Sequence, residues 1–310
     1  MSRLCVPSTA IRDRLRDRAA DSRLIADVAV WEDLRQIPDD AGQIEFWVPP
    51  FLHSDSDTAE AAFAAMARLE VIQTQSAGVD AILPLIPAGV RLCDARGVHG
   101  SSTSEWVLTA ILSVLREFPR FERARAEHRW DYAITDELAG KDVLIIGAGD
   151  VGQQLAKRLL ACDANPIFAA RTARDGVHSV EELPELLPRV DVVVLLVPKT
   201  SQTVGMVDAR FLSLMRDGAL LVNGARGPVV QTGALLAELQ SGRLRAALDV
   251  VEREPLPSDD PLWNAPNLLL TPHIAGSVHG LTDRFVTLLA AQARRYEAGE
   301  ELQNVVTGEY

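Results

Sequence analysis

The sequence predicts an α/β protein with parallel sheets, divided into two domains. Short apolar runs alternate along the chain with segments of helical spacing, a pattern typical of parallel strands connected by helices. One of the apolar runs, residues 143–146, leads directly into a glycine pattern and then into helix-forming residues. With 310 residues the chain is long for a single hydrophobic core, so two domains of ordinary size are expected.

The glycine pattern Gly147-Ala148-Gly149-Asp150-Val151-Gly152 has the spacing G-x-G-x-x-G. Between a strand and a helix, this spacing is typical of a turn that binds a dinucleotide pyrophosphate. Gly147 permits the tight turn, Gly149 lets the backbone approach the phosphates, and Gly152 lets helix and strand pack closely. The amides at the helix start would face the anion. The alternative is an ordinary glycine-rich turn in an α/β domain.

Composition excludes several classes of partner. The formal net charge of -12 disfavours nucleic acid and anionic membranes. No apolar run is long enough to cross a bilayer, and the N-terminus shows no signal-peptide pattern. The three cysteines, Cys5, Cys93 and Cys162, suggest neither a metal site nor a disulfide framework. We therefore expect a cytoplasmic protein without a metal.

The first third of the chain reads as a small α/β unit. Residues 24–30 and 44–48 are predicted strands, and residues 58–69 have helical spacing. After a further strand, the small residues from Ser76 to Asp80 form a loop whose backbone amides could hold a small anion, although an ordinary turn is equally compatible. The polar residues 97–102 suit a crossing between domains. The apolar helix after Thr103 is expected to be buried, and a second subunit is one surface that could cover it.

The residues after the second strand of the glycine-turn domain bear on the choice of cofactor. Residues 166–170 form that strand, and Arg171, Thr172 and Arg174 follow it. An acidic side chain at this place, roughly 20 residues beyond the glycine turn, would hold the ribose hydroxyls of NAD. Arginine pairs instead with a 2′-phosphate, so the sequence favours NADP(H), with NAD(H) possible. The alternative is that these arginines are ordinary surface residues.

Three ionisable residues, Arg226, Glu254 and His273, each follow an apparent strand. The carboxyl ends of parallel strands share one edge of a sheet, so the three side chains are expected to converge. His273 could protonate a ketone oxygen during reduction, and a neighbouring Glu254 would favour the protonated imidazole. Arg226 could hold the carboxylate of a 2-oxo acid in a bidentate fork. Each residue taken singly could be structural or solvated.

At these positions the chain resembles the D-isomer-specific 2-hydroxyacid dehydrogenase family. The resemblance covers nearly all of the chain beyond about residue 65, and the order and spacing of its motifs make it specific. The matching motifs are the glycine turn, Val222-Asn223-Gly224-Ala225-Arg226-Gly227, Asp249-Val250 with Glu254-Pro255, Asp260-Pro261-Leu262-Trp263, and Thr271-Pro272-His273-Ile274-Ala275-Gly276.

The resemblance implies two Rossmann-like domains, with the cofactor domain (residues 97–281) inserted into the substrate domain (residues 1–96 and 282–310). It implies reduction of small 2-oxo acids to D-2-hydroxy acids and a homodimer formed through the cofactor domain. In the family's pattern His273 is the acid/base, Glu254 is its partner and Arg226 is the substrate clamp. The implied substrate-binding residues are Ser76, Ala77, Gly78 and Arg226. The implied cofactor-binding residues are Gly147, Gly149, Asp150, Val151, Gly152, Arg171, Thr172, Arg174, Val197, Pro198, Thr203, Gly224, Ala225, Asp249, His273 and Gly276.

The chain departs from the family pattern at a few places. Arg171 replaces the acidic end of the second strand, and residues 162–166 replace a glycine-containing turn. Gly100 falls where many members carry a threonine or asparagine near the nicotinamide. Three alternatives stay open: a phosphoglycerate dehydrogenase-like enzyme, a nucleotide-sensing corepressor-type binding protein, and, less favoured because of Glu254, a formate or phosphite oxidoreductase.

Overall fold

The computed structural model describes residues 3–19, 21–50 and 56–308, of which residues 56 and 57 are described by their backbone alone. The chain divides into two units, Met1–His99 with His279–Tyr310, and Gly100–Val278. These divisions fall within a few residues of the predicted crossings at 97 and 281. Which unit holds the substrate and which the cofactor stays a prediction.

All the strands of the described residues pair in parallel and form two sheets, which confirms the predicted fold class. The five-stranded sheet of the first unit has the order β2-β1-β3-β4-β5, and the seven-stranded sheet of the second has the order β12-β11-β10-β9-β6-β7-β8. The strands are β1 (Arg3–Val6), β2 (Ala29–Val30), β3 (Ile44–Trp47), β4 (Val71–Gln73), β5 (Arg91–Cys93), β6 (Asp142–Ile146), β7 (Asn165–Ala170), β8 (Val177–Ser179), β9 (Val192–Leu195), β10 (Leu220–Asn223), β11 (Arg245–Leu248) and β12 (Leu268–Leu270).

Helices connect most of these strands. None of the helices within residues 3–19, 21–50 and 56–308 is long and apolar enough to cross a membrane. The helices are α1 (Thr9–Arg18), α2 (Arg23–Ala26), α3 (Ser56–Ala65), α4 (Gly100–Leu115), α5 (Phe118–Ala126), α6 (Asp150–Leu160), α7 (Leu183–Leu186), α8 (Ala209–Leu214), α9 (Thr232–Gln240) and α10 (Leu281–Ala298).

The strand predicted over residues 24–30 is wrong. Its first half forms the short helix α2, because the side chain of Ser22 accepts a hydrogen bond from the Ile25 amide and caps the turn. Only Ala29 and Val30 pair with β1. Leu24, Ile25 and Val28 of this segment are buried, and a short apolar run does not distinguish a buried helix from a buried strand.

The seven-stranded sheet is buried on both faces. Along β6, Leu144 and Ile146 face one apolar cluster, whereas Val143 and Ile145 face the other. The same alternation continues in β9, where all four residues from Val192 to Leu195 are buried. The sequence of a parallel strand that is covered on both faces is a continuous run of apolar residues. Such strands are therefore easy to predict from the sequence.

The order of the strands in this sheet reverses at β6. β6 lies between β9 and β7, so the connections leaving β6 and β9 run to opposite faces. Ligands of open α/β sheets bind at such a switch point, outside the carboxyl ends of the strands. The glycine turn follows β6, and residues 197–203 follow β9, so both lie at this edge.

The first unit is assembled from both ends of the chain. Phe285 and Leu289 of α10 pack in one core with Ile11 and Leu15 of α1. α10 ends at Gly299, whose φ of 68° provides the left-handed cap. The chain then returns to the sheet, where Val305 forms an antiparallel bridge with Cys93 of β5.

Candidate active site

The glycine turn has the geometry that a bound pyrophosphate requires. Gly147 has a φ of +120°, and a Cβ there would lie 2.4 Å from the carbonyl oxygen of Leu196. A Cβ on Gly152 would lie 2.3 Å from the carbonyl oxygen of Gly147, so α6 packs directly on the turn. A Cβ on Gly149 would meet nothing within 4 Å, which leaves its backbone open to a ligand. The turn therefore fits a dinucleotide, with Asp150 and Val151 in the first turn of α6.

The turn after β7 lies against the glycine turn. Nη2 of Arg174 donates to the carbonyl oxygen of Ala148 at 3.3 Å. Arg171 and Thr172 are exposed at the carboxyl end of β7. Arg174 therefore contacts the glycine turn, and Arg171 lies at the carboxyl end of the strand that pairs with β6.

The loops after β9 and β10 complete this edge of the sheet. In the first, Thr203 Oγ1 donates to the carbonyl oxygen of Pro198 at 2.6 Å and accepts from the Thr200 amide at 2.8 Å, which closes a compact loop after Val197. In the second, Gly224 lies on α4: a Cβ there would be 3.3 Å from Cγ2 of Val107. Ala225 donates its amide to Asn223 Oδ1 at 3.0 Å.

His273 and Glu254 form a direct pair. Nδ1 of His273 lies 2.7 Å from Oε2 of Glu254, and the Val251 amide donates to the other carboxylate oxygen at 3.1 Å. The hydrogen bond that His273 donates to Glu254 raises the pKa of His273, against the opposing effect of burial. Burial acts to raise the pKa of Glu254, but the hydrogen bonds from His273 and Val251 outweigh it and the pKa is lowered. The pair therefore favours a protonated imidazole beside an ionised carboxylate.

Arg226 lies close enough to act on this pair. Its charge contributes to lowering the pKa of both His273 and Glu254. Nη1 of Arg226 donates to the carbonyl oxygen of Ala225 at 2.9 Å, and its own carbonyl accepts from Asn223 Nδ2 at 3.1 Å. The buried Asn223 side chain thus shapes the loop that carries the guanidinium.

Asp249 holds the loop on which His273 lies. The side chain is 3 % exposed, and its Oδ1 accepts from Thr271 Oγ1 at 2.6 Å and from the Ile274 amide at 2.8 Å. Its Oδ2 accepts from the Ala275 amide at 2.8 Å, just before Gly276, and its carbonyl oxygen accepts from the His273 amide at 2.7 Å. His273 itself has a φ of 53°, in the left-handed region. Asp249 therefore accepts four hydrogen bonds from residues 271–275, the loop that carries His273.

Sequence reasoning did not identify this contribution of Asp249. The family resemblance implied only that Asp249 binds the cofactor, which stays a prediction; the structure shows three donors of the residue 271–275 loop on its carboxylate. The available signal was an aspartate at the end of β11, beside the strand that leads to His273. The sequence gives the identity of a side chain, but it does not show that the Asp249 carboxylate accepts hydrogen bonds from backbone amides.

The predicted anion loop lies in the first unit. The carbonyl oxygen of Ser76 accepts from Thr74 Oγ1 at 2.7 Å and from the Ala95 amide at 3.0 Å. Ser76 Oγ donates to the carbonyl oxygen of Gly78 at 2.8 Å, and the carbonyl oxygen of Gln75 lies 2.9 Å from Nε2 of His99. The carbonyls of this loop are thus turned towards protein donors. Its role towards an anion stays a prediction.

The comparisons with known proteins bear on this site directly. The family model for the D-isomer specific 2-hydroxyacid dehydrogenase, NAD binding domain, matches residues 108–275. The glyoxylate reductase of Thermofilum pendens is 35% identical over 254 residues, which span 77% of this chain and 75% of that protein. The chain belongs to the D-isomer specific 2-hydroxyacid dehydrogenase family. The resemblance seen in the sequence is thereby confirmed.

Two further relatives of this chain have different names within the family. The D-3-phosphoglycerate dehydrogenase of Archaeoglobus fulgidus is 31% identical over 78% of this chain, but the match spans only 48% of that longer protein. An NADPH-dependent glyoxylate/hydroxypyruvate reductase from Sinorhizobium meliloti, solved in complex with NADP and sulfate, is 28% identical with a TM-score of 0.84. That likeness covers 99% of this chain and 98% of the solved one.

Proposed function

We propose that this chain is an NADP(H)-preferring reductase of small 2-oxo acids, with His273 as the proton donor. The observation that carries the proposal is the 2.7 Å contact between His273 Nδ1 and Glu254 Oε2, within reach of the Arg226 charge and at the same sheet edge as the glycine turn. A cation, a protonated imidazole and a dinucleotide turn are the groups that carbonyl reduction of an acid requires.

Each side chain of the site has its own role in the proposed reaction. When bound, a reduced nicotinamide would supply the hydride for C2 of the 2-oxo acid. His273, whose Nδ1 is held by Glu254, donates the proton on Nε2 to the carbonyl oxygen as negative charge develops there. Glu254 stabilises the imidazolium before the transfer and keeps the ring oriented after it. Arg226 pairs with the substrate carboxylate and so orients the carbonyl towards His273.

The residue 76–80 loop of the first unit is a further candidate for binding an anion. The carbonyls of Ser76 and Gly78 accept hydrogen bonds within that unit, and the amides of Ala77 and Gly78 are our candidate donors to a carboxylate. Backbone amides of a small-residue loop suit a carboxylate because the chain can approach it closely.

The preference for NADP(H) rests on Arg171 and Arg174. Arg174 contacts the glycine turn through the Ala148 carbonyl, and Arg171 occupies the place of the acidic residue that would select NAD. The solved Sinorhizobium relative, which carries NADP, is consistent with this choice. NAD(H) is the expected weaker cofactor.

Absorbance at the reduced-nicotinamide band tests the proposal. Glyoxylate, hydroxypyruvate and pyruvate are each offered with NADPH and with NADH, and we expect NADPH to be consumed faster with at least one acid. His273→Ala should lower kcat by about 100-fold or more, the contribution of a positioned general acid, without changing NADPH binding. Full activity of His273→Ala would overturn the assignment of the proton donor.

The match to phosphoglycerate dehydrogenases supports a second candidate. Because the Archaeoglobus relative is 31% identical over most of this chain, the same assay includes 3-phosphohydroxypyruvate as a substrate. A kcat/KM for this phosphorylated acid well above those for glyoxylate and hydroxypyruvate would favour the second candidate over the first. Binding of NADPH without turnover of any acid would favour a binding protein instead.

We further propose a homodimer formed through the second unit. Trp130 and Tyr132, which follow α5, are 96% and 83% exposed, and Phe118 and Ile134 beside them are exposed as well. Large apolar side chains concentrated in one surface segment are typical of a protein interface. A cytoplasmic location stays a prediction.

A further inference from the structure

An acidic side chain lies at the turn that the proposed function assigns to the pyrophosphate. Asp150 is the first residue of α6, directly after Gly149, and its residue is exposed. The positive end of a helix stabilises a carboxylate at this position. A pyrophosphate bound at the same end would, however, be repelled by a carboxylate that pointed towards it. The position of this side chain therefore matters for cofactor affinity.

Gly100 provides the space in which the Asp150 side chain lies. A Cβ built on Gly100 would be 1.9 Å from Oδ2 of Asp150 and 2.8 Å from its Cγ. The same Cβ would be 2.8 Å from Nε2 of Gln154, which donates to Oδ1 of Asp150 at 3.3 Å. We call the space between Gly100, Asp150 and Gln154 the Gly100 notch. It holds the carboxylate between α4 and Gln154 of α6.

Arg158 fixes the distance between the two helices that form the notch. Its Nη1 donates to the carbonyl oxygen of Gln154 at 3.1 Å, and its Nη2 donates to Oγ of Ser101 at 3.1 Å. Because Ser101 follows Gly100, α4 cannot move away from α6 without breaking this bridge. A side chain at position 100 would therefore displace the flexible end of Asp150 rather than the helix.

We propose that Gly100 is a positioning residue for cofactor binding, because the notch keeps the Asp150 carboxylate away from the pyrophosphate. This inference rests on the proposed NADP(H) function.

A double-mutant cycle on NADPH affinity, followed by the fluorescence of NADPH, tests the notch. Gly100→Ala should raise the Kd for NADPH by about tenfold or more, the scale expected when like charges are brought together. The double variant Gly100→Ala/Asp150→Ala should recover most of that loss. Gly233→Ala is the matched control, since Gly233 lies in the first turn of α9 and a Cβ there meets nothing within 4 Å.

A second pair of variants leaves Gly100 in place in case Gly100→Ala does not fold. Asp150→Glu lengthens the side chain beyond the notch and keeps the charge, whereas Asp150→Gln has the same length without the charge. We expect weaker NADPH binding for Asp150→Glu than for Asp150→Gln. Equal Kd values for these two, or a double variant as weak as Gly100→Ala, would overturn the inference. A wild-type protein that does not bind NADPH would instead contradict the proposed function itself.

Discussion

The guanidinium of Arg174 donates to the carbonyl oxygen of Ala148 at 3.3 Å and so joins the turn after β7 to the glycine turn after β6. The contact positions a permanent charge beside the turn that is expected to bind phosphate. It also orders a side chain that would otherwise lose conformational entropy when the cofactor binds.

Arg171→Ala and Arg174→Ala should each weaken NADPH more than NADH. A hydrogen bond to a charged group contributes about 1.5–3 kcal/mol, which corresponds to roughly a 10- to 100-fold change in Kd. Titration of both cofactors measures the two effects. Arg210→Ala, which removes an exposed arginine from α8 of the same unit, serves as the control. Equal losses for NADPH and NADH would remove the argument for a 2′-phosphate.

Glu254→Gln should move the pH dependence of reduction towards lower pH. The hydrogen bond that His273 donates to Glu254 raises the pKa of His273, so the proton donor stays charged to a higher pH than an ordinary histidine. Reduction in the wild type should therefore be maximal below this raised pKa and should decline as the pH rises through it. In the variant the His273 pKa falls, and the decline begins at lower pH.

The measurement is kcat/KM for 2-oxo-acid reduction across the neutral and alkaline range. Glu182→Gln is a matched control, because His178 Nδ1 and Glu182 Oε2 form a pair with the same 2.7 Å distance outside the site. An unshifted profile in Glu254→Gln, or the same shift in Glu182→Gln, would argue against the pair as the source of the pH dependence.

Asp249→Asn should lower kcat much more than it changes the Kd for NADPH. The new amide would place a donor near the Thr271 hydroxyl or the amides of Ile274 and Ala275, so the loop that carries His273 would relax. A displacement of about 1 Å in a catalytic group can reduce the rate by roughly 100-fold. Thr271→Val, which removes one of these donors and leaves the carboxylate, should produce a smaller loss of the same kind.

Asp208→Asn is the control for this experiment. Asp208 caps α8 through a 2.7 Å hydrogen bond from the Phe211 amide, and asparagine caps a helix about as well as aspartate. Steady-state kinetics and NADPH titration on the three variants separate turnover from binding. A parallel loss of NADPH affinity in Asp249→Asn would point to direct cofactor contact instead of loop positioning.

Trp130→Ala/Tyr132→Ala should convert the proposed dimer into a monomer at low concentration. Aromatic residues at the centre of an interface each contribute about 2 kcal/mol or more, roughly a 30-fold change in the dissociation constant per residue. Light scattering during gel filtration measures the mass. Leu160→Ala, which removes another exposed apolar side chain of the same unit, should leave the mass unchanged. A double variant with the mass of the wild type would place the interface elsewhere.

The strands of the second unit were the most predictable part of the fold. β6, β9 and β10 are buried on both faces, so their sequences are continuous apolar runs bounded by polar turns. β8 escaped detection because its three residues, Val177–Ser179, form an edge strand with a single buried side chain. An edge strand pairs with a neighbour on one side only, and its side chains are less buried than those of a central strand. Its sequence therefore shows only a weak hydrophobic pattern.

The proximity of Arg226, Glu254 and His273 could be predicted from the sequence, but the hydrogen bonds that position them could not. Arg226, Glu254 and His273 were visible because each follows a strand that ends at a common edge. The left-handed backbone of His273 and the three donors on Asp249 depend on backbone positions, which side-chain chemistry does not specify. The notch at Gly100 depends on a space between two helices, which becomes visible only when both helices are in place.

The assembly of the first unit from both chain ends has a consequence for the order of folding during synthesis. Residues 100–278 form a contiguous unit that can acquire its core while the ribosome is still adding the remainder of the chain. Ile11 and Leu15 meet Phe285 and Leu289 only after α10 has been made. The core of the first unit is therefore the last part of the fold that can be completed during synthesis.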